Sequence, residues 1–229
     1  MAVRKKSEAI DKRARCIEVM ERLRSIYPKA RCTLNYKNPL ELLVATILAA
    51  QCTDERVNQV TPALFQKYKT PEDYVAVDVT ELEEDIRSCG FYRNKARCIQ
   101  RACKAILERF GGQVPGDMDS LVSLDGVGRK TANVLLNECF GVPGIIVDTH
   151  CARLARRLGF TKEEDPVKIE EDLMKLWPRE HWGTYSHTLV FHGRSVCLAR
   201  SPKCQECVVK DMCPFPDKPS QTRKNPKTK

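Results

Sequence analysis

The chain has 229 residues, enough for one large domain or two small ones with ample core. Its charged content of 30% and apolar content of 42% are those of a soluble globular protein. The apolar run from Leu42 to Ala50 is far too short to cross a bilayer, which excludes a membrane span, and the charged start MAVRKKSEAIDKRAR lacks the apolar centre of a secretory signal. A cytoplasmic protein is expected.

The net charge of +9 is unevenly placed. Residues 1–31 carry +6, residues 217–229 carry +4 and residues 194–213 carry +2, which leaves the remainder at −3. Basic segments at both ends suit a polyanionic partner such as nucleic acid, and equally suit solubility alone.

The periodicity is helical almost throughout. Ile17, Met20, Leu23 and Ile26 recur every three residues and predict an N-terminal amphipathic helix. Asn38 followed by Pro39 predicts a helix start, and LELLVATILAA behind it, apolar on nearly all sides, predicts a buried central helix. Further starts are predicted at Thr70-Pro71-Glu72 and at Thr80 with Glu83, a capping-box spacing. Stops are predicted at Gly90, Gly111-Gly112, Gly141 and Gly159. GIIVDT is the nearest approach to a strand and is short, so the class is all-α. The closing PDKPSQTRKNPKTK is polar, basic and broken by proline, and disorder is expected over 217–229.

Twelve cysteines in a chain of this length, without a secretory signal, argue for thiols and metal rather than disulfides. Eight are scattered singly and read as small buried hydrophobes. The other four, Cys197, Cys204, Cys207 and Cys213, form C-x6-C-x2-C-x5-C within seventeen residues. Four thiolates so spaced can converge on one centre, either zinc or an iron–sulfur cluster, and the spacing leaves that choice open.

The stretch SLDGVGRKTANVLL, residues 123–136, looks at first like a nucleotide loop. It fails the phosphate-loop pattern because Arg129 separates Gly128 from Lys130, and the dinucleotide pattern because Thr131 stands where a third glycine is required. DMDSLVSL before it is a short helix pattern with Asp117 or Asp119 as cap. Ala132, Leu135, Leu136 and Cys139 after it give one apolar helix face. Helix, glycine hairpin, helix is the better reading, with backbone N–H groups at Gly126 and Gly128 able to grip one DNA phosphate without reading a base. Lys130 stands at the start of the second helix beside Arg129, where an amine is a candidate nucleophile or a phosphate contact. Asp148 is placed to cap a helix whose apolar face is Cys151, Leu154, Ala155 and Leu158, and on these residues alone the cap is the preferred role.

Taken together, ELLVATILAAQCTD, GFYRNKA, GGQVPGDMDSLVSLDGVGRKTANVLLN, VDTH, FHGR and the closing cysteine pattern resemble the endonuclease III family of helix-hairpin-helix DNA glycosylases, over roughly residues 11–216. The resemblance implies two helical domains with the active site in the cleft between them. One spans 32–142 and holds the helix-hairpin-helix at about 117–141; the other joins 1–31 to 143–216. It implies a 4Fe–4S cluster on Cys197, Cys204, Cys207 and Cys213. It implies Lys130 as the nucleophile and Asp148 as its acidic partner in excising oxidised pyrimidines from double-stranded DNA, the abasic site then being nicked by β-elimination through a Schiff base. Gln51 matches a residue that fills the gap left by a flipped nucleotide, Phe91 an intercalating wedge, and Lys203 a phosphate-contacting loop. Gly126, Val127, Gly128 and Arg129 match the hairpin's DNA contacts. The expected partner is duplex DNA with a damaged pyrimidine or an abasic site, met by a monomer at the nucleoid.

Three positions depart from the family pattern. Asp125 stands where proline usually precedes the hairpin, and a carboxylate near a bound phosphate is a small electrostatic penalty. Phe91 replaces an aliphatic wedge, and Cys52 replaces a small non-thiol residue. An adenine-mismatch glycosylase of the same superfamily would lack Lys130 and carry a further C-terminal domain. A non-catalytic DNA-damage binding module would not need Lys130 with Asp148, and an iron–sulfur electron carrier would not need the hairpin or the basic termini.

Overall fold

The computed structural model describes residues 2–215, with side chains from residue 11 onward; the tail expected to be disordered, 217–229, lies outside the described residues. All regular structure among the described residues is helical. In chain order the helices are α1 (Ala2–Ile26), α2 (Pro39–Leu48), α3 (Asp54–Lys67), α4 (Pro71–Ala76), α5 (Val79–Asp85) and α6 (Tyr92–Phe110). They continue with α7 (Met118–Val122), α8 (Arg129–Cys139), α9 (Thr149–Arg157), α10 (Pro166–Leu176) and α11 (Trp182–Ser195). GIIVDT is an irregular segment leading into α9, with Ile145 and Ile146 buried.

The chain forms two compact units, one from Cys32–Gly144 and the other from Met1–Arg31 with the residues from Ile145 onward. In the first, α2 is the central helix. Leu42, Leu43, Val44, Ala45, Ile47 and Leu48 are all buried, and the helix packs against α3, α6 and α8. Asn38 caps it, its side chain accepting from Glu41 N at 2.9 Å, and Pro39 occupies the first turn where no N–H is needed. A complete capping box opens α4, where Thr70 and Asp73 satisfy each other's backbone N–H. The box expected at Thr80 does not form. Asp78 caps α5 instead, and its carboxylate takes both the backbone N–H and the hydroxyl of Thr80, at 2.8 and 2.6 Å. The helix starts before Thr80, at Val79, so Thr80 lies inside the first turn and does not cap it.

In the second unit, α1 packs on α10 and α11, and α9 packs on both as well. The buried stripe of α1 is Cys16, Val19, Met20 and Leu23, an i, i+3, i+4, i+7 set, while Ile17 is half-buried and Ile26 is 53% exposed. The expected every-third-residue face is thereby corrected: a strict period of three drifts around a helix of 3.6 residues per turn. Arg15 of α1 donates to Met212 O at 2.9 Å and Leu158 O at 3.0 Å, and Arg22 pairs with Asp211 at 3.0 Å. These contacts tie the N-terminal helix to the cysteine-rich segment. Charge separates with the units: Cys32–Gly144 holds 13 Lys/Arg against 15 Asp/Glu, and the rest of the chain 26 against 15.

Of the eight scattered cysteines, Cys16, Cys89, Cys98, Cys103 and Cys151 are buried, and Cys32, Cys52 and Cys139 are half-buried. Burial pushes the Cys16 and Cys103 thiols up to about 12 and Cys89 to about 11, which keeps them protonated and inert.

Candidate active site and metal centre

The hairpin begins with α7, capped by Asp117, whose Oδ1 accepts from Ser120 N at 2.9 Å. Val127 N then closes a turn on Leu124 O at 3.2 Å, and the Val127 side chain is buried, so this residue anchors the loop from beneath. Gly126 has φ of +75°, and a Cβ there would meet Cys98 Cβ at 3.0 Å, so glycine is required both for backbone and for space. Gly128 is different: its φ of −90° and ψ of 173° suit any residue, and a Cβ would meet nothing within 4 Å. There, glycine leaves the backbone open to approach by a ligand. The N-terminus of α8 has no side-chain cap hydrogen bond, and the positive end of a helix favours an anion.

Arg129 and Lys130 occupy that first turn, and both are exposed. Asp125, on the other side of Gly126, lies 2.5 Å from Arg101 Nε of α6. The contact is an ion pair rather than an aligned hydrogen bond. It offsets the charge penalty that Asp125 brings to the hairpin.

Gln51 and Phe91 belong to the same unit, in the loop after α2 and at the N-terminus of α6. Both are exposed, Phe91 to 67%, and both are non-glycine residues in the left-handed region, with φ of +54° and +48°. Such backbone costs about 1–3 kcal/mol per residue and persists where the surroundings over-determine it.

Asp148 lies in the other unit. It is the N-cap of α9, and its Oδ1 accepts from Cys151 N at 2.7 Å. The expected apolar face behind it, Cys151, Leu154, Ala155 and Leu158, is buried. Nearby, burial and the guanidiniums of Arg153 and Arg194 hold His150 below its ordinary range, against the opposing pull of Asp148.

Cys197, Cys204, Cys207 and Cys213 line one cavity of about 220 Å³. Arg157 of α9 spans its wall, with Nη1 at 3.4 Å from Cys197 Sγ and 2.7 Å from Leu198 O, and Nη2 at 2.9 Å from Ala199 O. His192 of α11 is buried between Cys207 Sγ, 3.5 Å from Nε2, and the Tyr27 hydroxyl, 3.1 Å from Nδ1. Desolvation takes this imidazole down to about 4, so it is neutral at physiological pH. Four soft thiols, a guanidinium to offset negative charge and room for several atoms fit an iron–sulfur cluster. Lys203 lies at the same cavity, exposed, with Nζ 3.9 Å from Glu206.

Residues 44–179 match the HhH-GPD superfamily of base excision DNA repair proteins, and residues 197–213, from the first to the last of the four cysteines, match the iron–sulfur binding domain of endonuclease III. Endonuclease III of a Synechocystis species is 53% identical over 204 residues, 89% of this chain and 93% of that protein. Endonuclease III of Bacillus subtilis strain 168 is 51% identical, over 85% of this chain and 89% of its own length. A solved structure of a trapped endonuclease III–DNA covalent intermediate superposes with a TM-score of 0.85 at 47% identity, covering 88% of this chain and 95% of that one. The chain belongs to the endonuclease III family. As a member of that family it carries a 4Fe–4S cluster.

Three features of this family member were not reached from its sequence. The Asp125–Arg101 pair joins residues 24 apart, the contacts of Arg157 to the cysteine loop join residues about 40 apart, and the left-handed backbone of Gln51 and Phe91 falls where no glycine marks it. Only the Asp-for-proline departure at position 125 pointed toward any of them.

Proposed function

We propose that this chain, a bifunctional base-excision DNA glycosylase and AP lyase, removes oxidised pyrimidines from duplex DNA with Lys130 as nucleophile and Asp148 as its acidic partner. The observation that carries the reading is the hairpin: an uncapped helix N-terminus, a glycine whose Cβ position is open, and an exposed lysine in the first turn. Backbone N–H groups there hold a DNA phosphate without regard to sequence, and the same turn presents the Lys130 amine to the adjacent nucleotide.

The damaged nucleotide leaves the stack, at least cost where pairing is already weak. Lys130 Nζ forms a bond to the sugar C1′ as the C1′–base bond breaks, and the base departs with its electron pair and takes up a proton. The Asp148 carboxylate stabilises the positive charge that develops on the sugar. A proton passes from the nitrogen to the ring oxygen as the C1′–O4′ bond breaks, which gives the Schiff base, and loss of the C2′ proton then expels the 3′ phosphate with its electron pair by β-elimination. Gln51 and Phe91 occupy the gap and wedge the stack, and Lys203 with Arg129 contacts the backbone. The cluster, held by Cys197, Cys204, Cys207 and Cys213, ties one seventeen-residue segment to a single centre and takes no part in these steps. The protein acts as a monomer at the nucleoid, drawn to DNA by the basic excess of the unit that holds both chain ends.

Borohydride reduction with a duplex containing an oxidised thymine tests the chemistry. Wild type is expected to form a covalent adduct and Lys130→Ala none; equal trapping by both would remove Lys130 from the mechanism. Asp148→Asn keeps a side chain that caps as well as aspartate, so the fold is expected to hold while base release falls by about a hundredfold or more. A comparable loss of thermal stability would reduce Asp148 to its capping role.

A further inference from the structure

Lys95 is a buried cation that the proposed chemistry does not use. It lies on the first turn of α6 at 4% exposure, and its Nζ donates to two backbone carbonyls, Leu48 O at 2.7 Å and Cys89 O at 2.8 Å. The titratable groups acting on it are the thiols of Cys52 and Cys89, and desolvation holds the ammonium below the usual lysine range. A charge taken out of water without a counter-ion is costly, and here the two carbonyl hydrogen bonds compensate it.

The two carbonyls belong to different segments. Leu48 O belongs to the last turn of α2, where carbonyls lose their helical donors. Cys89 O ends the 3-10 turn Arg87–Cys89 that precedes α6. Three residues beyond Leu48 stands Gln51, and two beyond Cys89 stands Phe91, both left-handed and exposed. Gly90 between them is left-handed as well, with φ of +68°. The backbone N–H of Lys95 also donates to Phe91 O at 3.1 Å. One residue therefore fixes the start of both segments and the carbonyl of Phe91 itself. Segments so held cannot relax into ordinary backbone independently.

We infer that Lys95 is a positioning residue whose ammonium couples the Gln51 and Phe91 segments, so that gap-filler and wedge are presented together before DNA arrives. This rests on the reading of Gln51 and Phe91 as the pair that probes the duplex. Preorganisation of this kind raises affinity by removing the ordering cost at the moment of binding. It acts on damaged or extrahelical sites, where both side chains enter the stack, and leaves the hairpin's grip on undamaged backbone untouched.

The test is a mutant cycle on the full, cluster-loaded chain, with binding measured to a duplex holding a tetrahydrofuran abasic analogue beside 2-aminopurine, and to the same duplex undamaged. Lys95→Met is expected to lower affinity for the abasic duplex, and the 2-aminopurine fluorescence gain, by about tenfold, and to leave undamaged-duplex affinity within about twofold. In a Gln51→Ala/Phe91→Ala background, adding Lys95→Met is expected to change abasic-duplex affinity by less than about twofold. If Lys95→Met loses helical circular dichroism or cluster absorbance, Lys95→Gln, which keeps an amide donor for one carbonyl, carries the same cycle. A full tenfold loss in the doubly substituted background, or no loss in the wild-type background, overturns the coupling. If Gln51→Ala/Phe91→Ala alone keeps wild-type preference for the abasic duplex, the premise itself fails and the coupling with it, a result distinct from the first two.

Discussion

Asp125 sets a negative charge one residue from the glycine that turns the hairpin, and Arg101 lies 2.5 Å away on α6. Both side chains are substantially exposed, so the pair contributes at most about 1 kcal/mol to folding, and less in salt. On the proposed reading of the hairpin as a phosphate grip, the effect is expected instead on a bound phosphate, which would meet a neutralised pair rather than a bare carboxylate. Arg101→Ala is expected to leave the melting temperature almost unchanged and to weaken duplex binding several-fold at low salt, by roughly 1 kcal/mol. Asp125→Asn should restore most of that loss. Binding titrations of the two single variants and the double variant decide it: if Arg101→Ala costs as much in the Asp125→Asn background, Arg101 contacts DNA directly and does not screen Asp125. The departure at position 125 was visible in the sequence. Its partner was not, because an arginine on a helix face gives no sign of which carboxylate the fold will bring to it.

The hairpin shows what an element adds to its residues. Gly126 and Gly128 read alike in a one-dimensional pattern, yet the structure separates them by φ and by space. Gly126→Ala forces a left-handed alanine against Cys98 and is expected to destabilise the unit by about 1–3 kcal/mol. Gly128→Ala meets neither obstacle, so it should melt like wild type while its methyl group obstructs the approach of a phosphate to the backbone. Thermal melting beside a duplex titration checks the contrast, and a Gly128→Ala variant that binds DNA normally would remove that position from the grip. The same distinction explains which elements could be read in advance. The cap at Asn38, the buried run of α2 and the left-handed stops at Gly90, Gly111, Gly141 and Gly159 depend on neighbours within one turn. The buried face of α1 could not be read so directly. Its true stripe begins at Cys16, a residue that periodicity in aliphatic side chains passes over, and it is selected by packing against helices more than 140 residues away in sequence. Gln51 and Phe91 escaped because strain has no sequence marker when the residue is not glycine.

At the scale of the whole molecule, the cysteine segment is held by few regular backbone bonds. Its secondary structure is limited to the short 3-10 turns Cys204–Glu206 and Lys210–Met212. What fixes it is a set of arginines from elsewhere in the same unit: Arg157 on Leu198 O and Ala199 O, Arg153 on Cys197 O, and Arg15 on Met212 O. These hold its two ends, while the four cysteines line the cavity in the middle. Burial pushes the Cys207 and Cys213 thiols up, so a metal that takes them as thiolates must displace their protons. Loss of the cluster should therefore loosen residues 197–213 first, then the α9 and α11 surfaces that they cover through Leu154, Leu158 and His192. The unit Cys32–Gly144 has its own core around α2 and no ligand in the metal site, so its stability should not depend on the metal. Hydrogen exchange of chelator-treated, oxidised protein against the cluster-loaded form separates the two expectations. Protection should fall by about tenfold or more in 197–213 and stay within about twofold across α2 and α6. Equal loss in both units would mean that the cluster stabilises the whole chain as one cooperative body, and the division into a metal-dependent and a metal-independent half would be wrong.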